Sequence, residues 1–208
     1  MSIGRLEAIF QRSERALAHG VPIRKTSAGI WVPSPISMIV DVVSALREIG
    51  LLGPAAAGGA VVDAGMGDGR VTAVVALREP SQPVYGIERD PVLHSRAEQN
   101  LRRALRMSRG SPRVHPVEGD YCDVATYAAC GLDLQAVGVV VNYPDGNQER
   151  LARFVAAHAP DASLCLFTHD RDLEVRELVL RTERDLPADY GPDWRLCVYR
   201  GRPGDPRR

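Results

Sequence analysis

A chain of 208 residues, 45% apolar and 25% charged, has the length and balance of one globular domain with a full hydrophobic core. Lysine plus arginine match aspartate plus glutamate at 26 each, so the formal net charge is zero, which argues against a broad electrostatic grip on nucleic acid or an anionic membrane. No apolar run is long enough to span a bilayer and no apolar h-region stands near the start, so the chain reads as cytoplasmic.

Residues 4–18 carry Leu6, Ile9, Phe10 and Leu17 among charged residues, the pattern of an amphipathic helix. A basic linker, HGVPIRKTSAG, leads into IWVPSP, where two prolines hold the backbone extended. Ser34 or Ser37 then caps a helix from Ile36 to Gly50, with Ile39, Val42, Val43 and Leu46 at helical spacing. GPAAAGG is a flexible break.

From there apolar runs and helical stretches alternate. Strands are predicted at 60–64, 83–88, 113–120, 137–145 and 162–170. Between them lie helices from Gly69 to Arg78, Pro91 to Met107, about 123–130, and Asn147 to His158. Five strands separated by helices argue for a parallel sheet covered on both faces. Beyond them, a strand over about 176–185, a turn at DYGPD and a strand at 194–201 are predicted to form an antiparallel edge hairpin, with the last eight residues frayed. One domain spans 1–208, with 1–52 as a cover and 60–201 as the core.

In an open parallel sheet, ligands bind beyond the carboxyl ends of the strands. The first strand ends in DAGMGDG, from Asp63 through Gly65, Met66, Gly67 and Asp68 to Gly69. Glycine admits positive φ and lets a ligand approach the backbone. A dinucleotide turn reads G-x-G-x-x-G and faces a diphosphate at a helix N-terminus. Here the spacing is G-x-G-x-G, and Asp63 and Asp68 would repel a diphosphate; a cationic or zwitterionic ligand end suits the loop better. Glu88 closes the second strand about 20 residues on, the spacing of a carboxylate that accepts from both ribose hydroxyls. Asp120 closes the third strand, placed to accept from an adenine amino group, with Tyr121 beside it. Together these residues describe an adenosine with a free ribose.

The fourth and fifth strands end in Asn142-Tyr143-Pro144-Asp145 and Thr168-His169-Asp170. Cys122, Cys130, Cys165 and Cys197 form no C-x-x-C pair and have no histidine at ligand spacing, so they read as small buried side chains rather than a metal site or disulfides. No Tyr-x-x-x-Lys pair accompanies the glycine turn, which weighs against an NAD-dependent oxidoreductase.

D-A-G-M-G-D-G, G-I-E, E-G-D and the N-x-P turn together resemble the class I S-adenosylmethionine-dependent methyltransferases, whose first motif is [DE]-x-G-x-G-x-G. The resemblance covers about residues 30–170. It implies a Rossmann-like seven-stranded α/β sheet, mostly parallel with an antiparallel C-terminal hairpin and helices on both faces. It implies S-adenosylmethionine as cofactor and S-adenosylhomocysteine as product. Carried over, Gly65 to Gly69, with Met66 and Asp68, face the methionine portion; Asp63 organises the loop and the ammonium; Glu88 holds the ribose; Asp120 and Tyr121 flank the adenine.

W-V-P-S-P followed by a helix and V-D-x-G-x-G-D-G-R is similar to the small lysine methyltransferases of the ATP-synthase c-subunit type, and more distantly to the non-SET histone-lysine type. By that likeness Trp31, Pro33, Ser34 and Pro35 line the cofactor pocket or its lid. N-Y-P-D partly resembles the [DN]-P-P-[YF] motif of amino-group methyltransferases, with Tyr moved ahead of a single Pro and Asp in the aromatic's place. It faintly resembles F-P-D-P-W of tRNA 7-methylguanosine methyltransferases, without the Trp. The implied function is nitrogen-directed methyl transfer to a protein side chain or small molecule, with nucleic acid ranked lower. Asn142, Tyr143 and Asp145 are the acceptor-side residues, Asn142 also borders the cofactor, and Asp145, Asp170 or His169 takes the proton. A cofactor-binding sensor or scaffold without catalysis is the rival outside enzymology.

Overall fold

The computed structural model describes residues 2–18, 24–26, 29–54, 56, 59–106, 108, 111–143, 145–169, 177–190 and 193–201. Helix α1 (Ile3–Ala18) is followed by a short antiparallel hairpin of β1 (Arg24–Thr26) and β2 (Gly29–Trp31), then α2 (Ile36–Glu48). The core runs β3 (Ala60–Ala64), α3 (Arg70–Arg78), β4 (Val84–Glu88), α4 (Pro91–Leu105), β5 (Val114–Glu118), α5 (Val124–Ala129), β6 (Val137–Asn142), α6 (Gln148–His158) and β7 (Ser163–Thr168). It closes with β8 (Val179–Asp185) and β9 (Arg195–Arg200).

Seven strands form one sheet in the order β5-β4-β3-β6-β7-β9-β8. β3 to β7 are parallel, while β9 pairs antiparallel with both β7 and β8. The parallel sheet, the helices on both faces and the edge hairpin agree with the sequence reading. The order reverses between β3 and β6, which opens a crevice beyond their carboxyl ends.

Both faces of the central strands β3, β4, β6 and β7 are largely buried, so these read as near-continuous apolar runs, whereas the edge strands β5 and β8 are partly exposed. Side chains still alternate between two cores. Val61, Cys165 and Phe167 pack with α1 to α4 on one face, and Val62, Leu164 and Leu166 with α5 and α6 on the other. α2 buries the stripe formed by Ile39, Val42, Val43 and Leu46, as its spacing requires. α4 starts as the sequence demands, with Asp90 accepting from the N–H groups of Val92 and Leu93 and Pro91 in the first turn.

Three expectations are corrected. Part of the segment read as linker forms β1, paired to β2. Neither Ser34 nor Ser37 caps α2: Pro35 occupies the cap position without a side-chain hydrogen bond, and the Ser34 carbonyl is drawn to Arg70 instead. The hairpin strand begins at Val179 rather than near 176. Residues 170–176, Gly191 and Pro192 of the DYGPD turn, and 202–208 of the tail lie outside the described residues. Among the described residues no helix is long and apolar enough to cross a membrane.

Candidate active site

The turn after β3 needs its glycines. Gly65, Gly67 and Gly69 have φ of 79°, 57° and 87°, the left-handed region that a Cβ disfavours. The N–H groups of Gly65 and Met66 both donate to the Ile87 carbonyl at 3.0 Å, tying the turn to β4. Gly67 N–H donates to Glu88 Oε2 at 2.9 Å, and Asp90 N–H donates to Glu88 Oε1 at 2.8 Å. Glu88 is thus fixed at the end of β4 with each oxygen holding a neighbouring backbone segment. Burial raises the pKa of its carboxyl; the N–H donors oppose this and the charge of Asp90 adds to it.

Asp63, at the end of β3, turns toward α3. Its Oδ2 accepts from the Thr72 N–H at 2.9 Å and the Thr72 hydroxyl at 2.6 Å. Burial pushes its pKa up to about 7; Thr72 counters part of the rise, and the charges of Glu88 and Asp68 add to it. Met66 is buried, its sulfur packed where a side chain at Gly86 would stand.

Asp68 is paired within the protein. It is 0% exposed, and both carboxylate oxygens accept from Arg70, Oδ1 from Nε and Oδ2 from Nη2, each at 2.9 Å. Its charge is matched by a guanidinium two residues on. Its backbone carbonyl accepts from Asn100 Nδ2 at 3.0 Å. Asp68 therefore braces the turn.

A cleft of about 110 Å³ opens above the turn, bordered by Trp31, Gly65, Glu88, Asp120, Tyr143 and Asp145. A second cavity of about 40 Å³ shares Trp31, Gly65 and Tyr143 with the first and is bordered also by Asp63, Met66, Gly67 and Asp68. Trp31 stands across the turn, so close that a Cβ on Gly67 would lie 2.5 Å from its Nε1. Ser34 is buried, Pro33 half-buried and Pro35 exposed; of this segment, Trp31 and Val32 border both cavities and Ser34 only the smaller.

Beyond the end of β5, Asp120 Oδ1 accepts from Cys122 N–H and Oδ2 from Arg150 Nη2, both at 2.8 Å. Burial raises its pKa, but the bonds from Arg150 and Cys122 win and hold it below the usual value. The Tyr121 hydroxyl donates to Asp145 Oδ2 at 2.7 Å, and Asn147 N–H donates to Asp145 Oδ1 at 3.0 Å. Burial, and then the Asp145 charge, raise the pKa of the Tyr121 phenol.

Asn142 closes β6. Its Nδ2 donates to the Ala64 carbonyl at 2.7 Å, while Oδ1, in a side chain 2% exposed, has no hydrogen-bond partner among the described residues. A Cβ on Gly65 would lie 3.9 Å from that amide, 3.7 Å from Asp145 Oδ2 and 3.6 Å from the Tyr121 ring. Asn142, Asp145 and Tyr121 thus converge on the first glycine of the turn. The Tyr143 ring meets Phe167 edge-on at 5.5 Å and Trp194 at 5.6 Å. His169 is exposed and lies against Trp194 at 5.0 Å, while Pro144 and Asp170 fall outside the described residues. Among the described residues no group of three or more His, Cys, Asp or Glu is arranged to hold a metal ion.

Sequence reasoning did not single out Thr72, Arg70, Arg150 or Trp194. Arg70 alone left a local signal, since it follows the glycine turn directly.

No protein-family model matches the sequence, and no curated protein matches it. Solved structures match in fold. An RNA methyltransferase from Salinibacter ruber, determined with S-adenosyl-L-homocysteine, is 20% identical over 85% of this chain and 98% of its own, with a TM-score of 0.58. The rRNA methyltransferase aviRa from Streptomyces viridochromogenes is 16% identical over 90% and 92%, with a TM-score of 0.60. The mitomycin 7-O-methyltransferase MmcR is 16% identical over 80% and 54%, with a TM-score of 0.56. At these identities the likeness establishes architecture, and the chain has the seven-stranded, Rossmann-like methyltransferase fold with an antiparallel C-terminal hairpin.

Proposed function

We propose that this chain is an S-adenosylmethionine-dependent methyltransferase that acts on an amino nitrogen of a protein side chain or small molecule. The observation that carries the reading is the buried Asn142 Oδ1, which has no partner among the described residues and belongs to a side chain that meets Asp145 at Gly65, at the switch point of the sheet. A buried acceptor without a donor costs about 1–3 kcal/mol, a cost that a ligand donor would relieve.

The residues present fit the cofactor. Gly65 is the exposed residue of the turn and borders both cavities, and Asp63 offers a buried carboxyl against the smaller one, where an amino-acid ammonium would sit. Glu88 and Asp120 each retain lone pairs beyond those already bonded, for ribose hydroxyls and an adenine amino group respectively. A diphosphate would meet Asp63, Glu88 and Asp120 without a compensating cation on the turn, since Arg70 is committed to Asp68. When bound, the cofactor supplies a sulfonium methyl electrophile. The chain's own residues position the acceptor and manage its proton.

Nitrogen is favoured over oxygen by the count of acceptors. Asn142 Oδ1 and the Asp145 carboxylate can receive two N–H donors, whereas a hydroxyl brings one. Asp145 holds the released proton, and Tyr121 and Asn147 fix its carboxylate in place. Tyr143 walls the site, backed by Phe167 and Trp194. The lysine-type likeness of W-V-P-S-P supports an amine acceptor of the same kind.

The test is transfer of labelled methyl from S-adenosylmethionine to fractionated lysate, followed by hydrolysis of the product. The expected result is label on nitrogen, with turnover in Asn142→Ala lower by about a hundredfold from lost positioning. Affinity for S-adenosylhomocysteine should stay within about threefold of the parent, because one uncharged contact carries little of it. Label on oxygen or carbon would contradict nitrogen transfer. Binding without any labelled product would favour the sensor reading.

A further inference from the structure

We infer that Arg70 is a positioning residue that latches the N-terminal cover onto the glycine turn, so that docking of α1 and occupancy of the turn are coupled. The inference rests on the cofactor reading above and adds to it a mechanical link that the turn motif does not contain.

Arg70 is the first residue of α3, where a cation opposes the helix dipole; helix stability therefore does not account for its position. It is 4% exposed, and an arginine so buried must be paired. Its guanidinium divides between two bodies. Nε and Nη2 grip Asp68 of the turn. Nη1 donates to Glu14 Oε1 of α1 at 2.9 Å and to the Ser34 carbonyl at 2.8 Å. The same group lies 5.3 Å from the centre of the Phe10 ring and 5.9 Å from that of Trp31. Phe10 and Glu14 belong to α1, Trp31 and Ser34 to the segment that crosses the turn.

Trp31 completes the link, because its indole rests on Gly67 and borders both cavities. One rigid fork thus bonds the cover and the turn together, while Asn100 holds the Asp68 carbonyl from below. If the turn shifts, the Asp68 carboxylate moves and Arg70 must release Glu14 or Ser34. If α1 undocks, the guanidinium loses a carboxylate and an aromatic face, and Asp68 is left with a less constrained partner. A ligand that fixes the turn therefore fixes the cover, and by linkage the cover favours the ligand.

The test is amide hydrogen exchange on the full chain, comparing the parent with Glu14→Gln and Arg70→Lys, with and without S-adenosylhomocysteine. Glu14 has a side chain 37% exposed, so Glu14→Gln breaks one arm of the latch and leaves a folded protein should Arg70→Lys fail to fold. Without ligand, both variants should exchange faster in α1 and in residues 65–69 together, by about fivefold, with β3 and β6 unchanged. With ligand, the parent should gain about tenfold protection in α1, and Glu14→Gln little. Affinity should fall severalfold in Glu14→Gln. Faster exchange in α1 with an unchanged turn would overturn the latch. So would a parent that binds the ligand and shows no added protection in α1. A parent that binds no S-adenosylhomocysteine would count against the cofactor reading, and the ligand-free comparison would still decide the latch.

Discussion

Gly67→Ala is expected to abolish S-adenosylhomocysteine binding while the sheet stays folded. With φ at 57°, any side chain at this position is strained by about 1–2 kcal/mol. The larger cost is steric. The new Cβ would lie 2.5 Å from Trp31 Nε1 and 2.7 Å from Cδ1. The ring has little room to yield, since it is buried against Leu93 with the Arg70 guanidinium on it. Relief comes in two ways. The turn can roll and lose the bond from Gly67 N–H to Glu88, which also disturbs the carboxylate assigned to the ribose. Or the cover can lift and open the wall of the cleft.

Either route removes the binding surface, so affinity should fall by at least about a hundredfold, with about 1–3 kcal/mol of folding stability lost to overpacking. Calorimetric titration reads the first and urea unfolding the second. Adding Trp31→Ala should recover part of the stability through the coupling of the two sites, and none of the affinity. Unchanged binding in Gly67→Ala would mean that the ligand does not sit on this turn.

Asp63→Asn should change how stability depends on pH. The Asp63 carboxyl rises from the ordinary 3.8 to about 7 on folding, because burial penalises its charged form. A folded pKa above the unfolded value means that the native state binds the extra proton. The stability linked to that proton is complete below the unfolded pKa and is lost as pH rises through about 7. The whole effect corresponds to about 4 kcal/mol, of which about 3 kcal/mol falls between about pH 5 and about pH 8.

An asparagine oxygen can still accept from both Thr72 donors and carries no charge. The variant should therefore gain on the parent by that amount over this interval, as read from urea midpoints at the two pH values. An equal pH response in both proteins would show that Asp63 is ionised throughout. The same linkage bears on the ligand. An ammonium beside Asp63 favours the carboxylate, so binding to the parent should release a proton near neutral pH, and Asp63→Asn should lose that release.

What the sequence revealed, and what it hid, divides by range. The central strands and the acids at their ends were legible because both faces of those strands are buried and each apolar run stops where the backbone meets the crevice. The turn was legible because Gly65, Gly67 and Gly69 all stand at positive φ, where glycine is strongly favoured. The small hairpin was not. Arg24–Thr26 and Gly29–Trp31 are too short and too polar to carry a period, and their pairing places Trp31 over Gly67, a contact far along the chain.

The pairing of Asp68 with Arg70 was not legible, because it is fixed by the orientation of a side chain that spacing does not encode. Arg70 stands directly after the glycine turn, but its partner Glu14 lies 56 residues away. Arg150 finds Asp120 across 30 residues in the same way. Polar pairing between side chains and the small hairpin that carries Trp31 were the illegible parts of the site.

The central claim is that this turn and the acids around it bind an adenosine ligand carrying an amino acid, not a dinucleotide. Calorimetric titration of the full chain with S-adenosylhomocysteine and, separately, with NAD tests it directly. The account predicts saturable one-to-one binding of S-adenosylhomocysteine, lost in Gly67→Ala, and no heat from NAD. Binding of NAD with none of S-adenosylhomocysteine would contradict it.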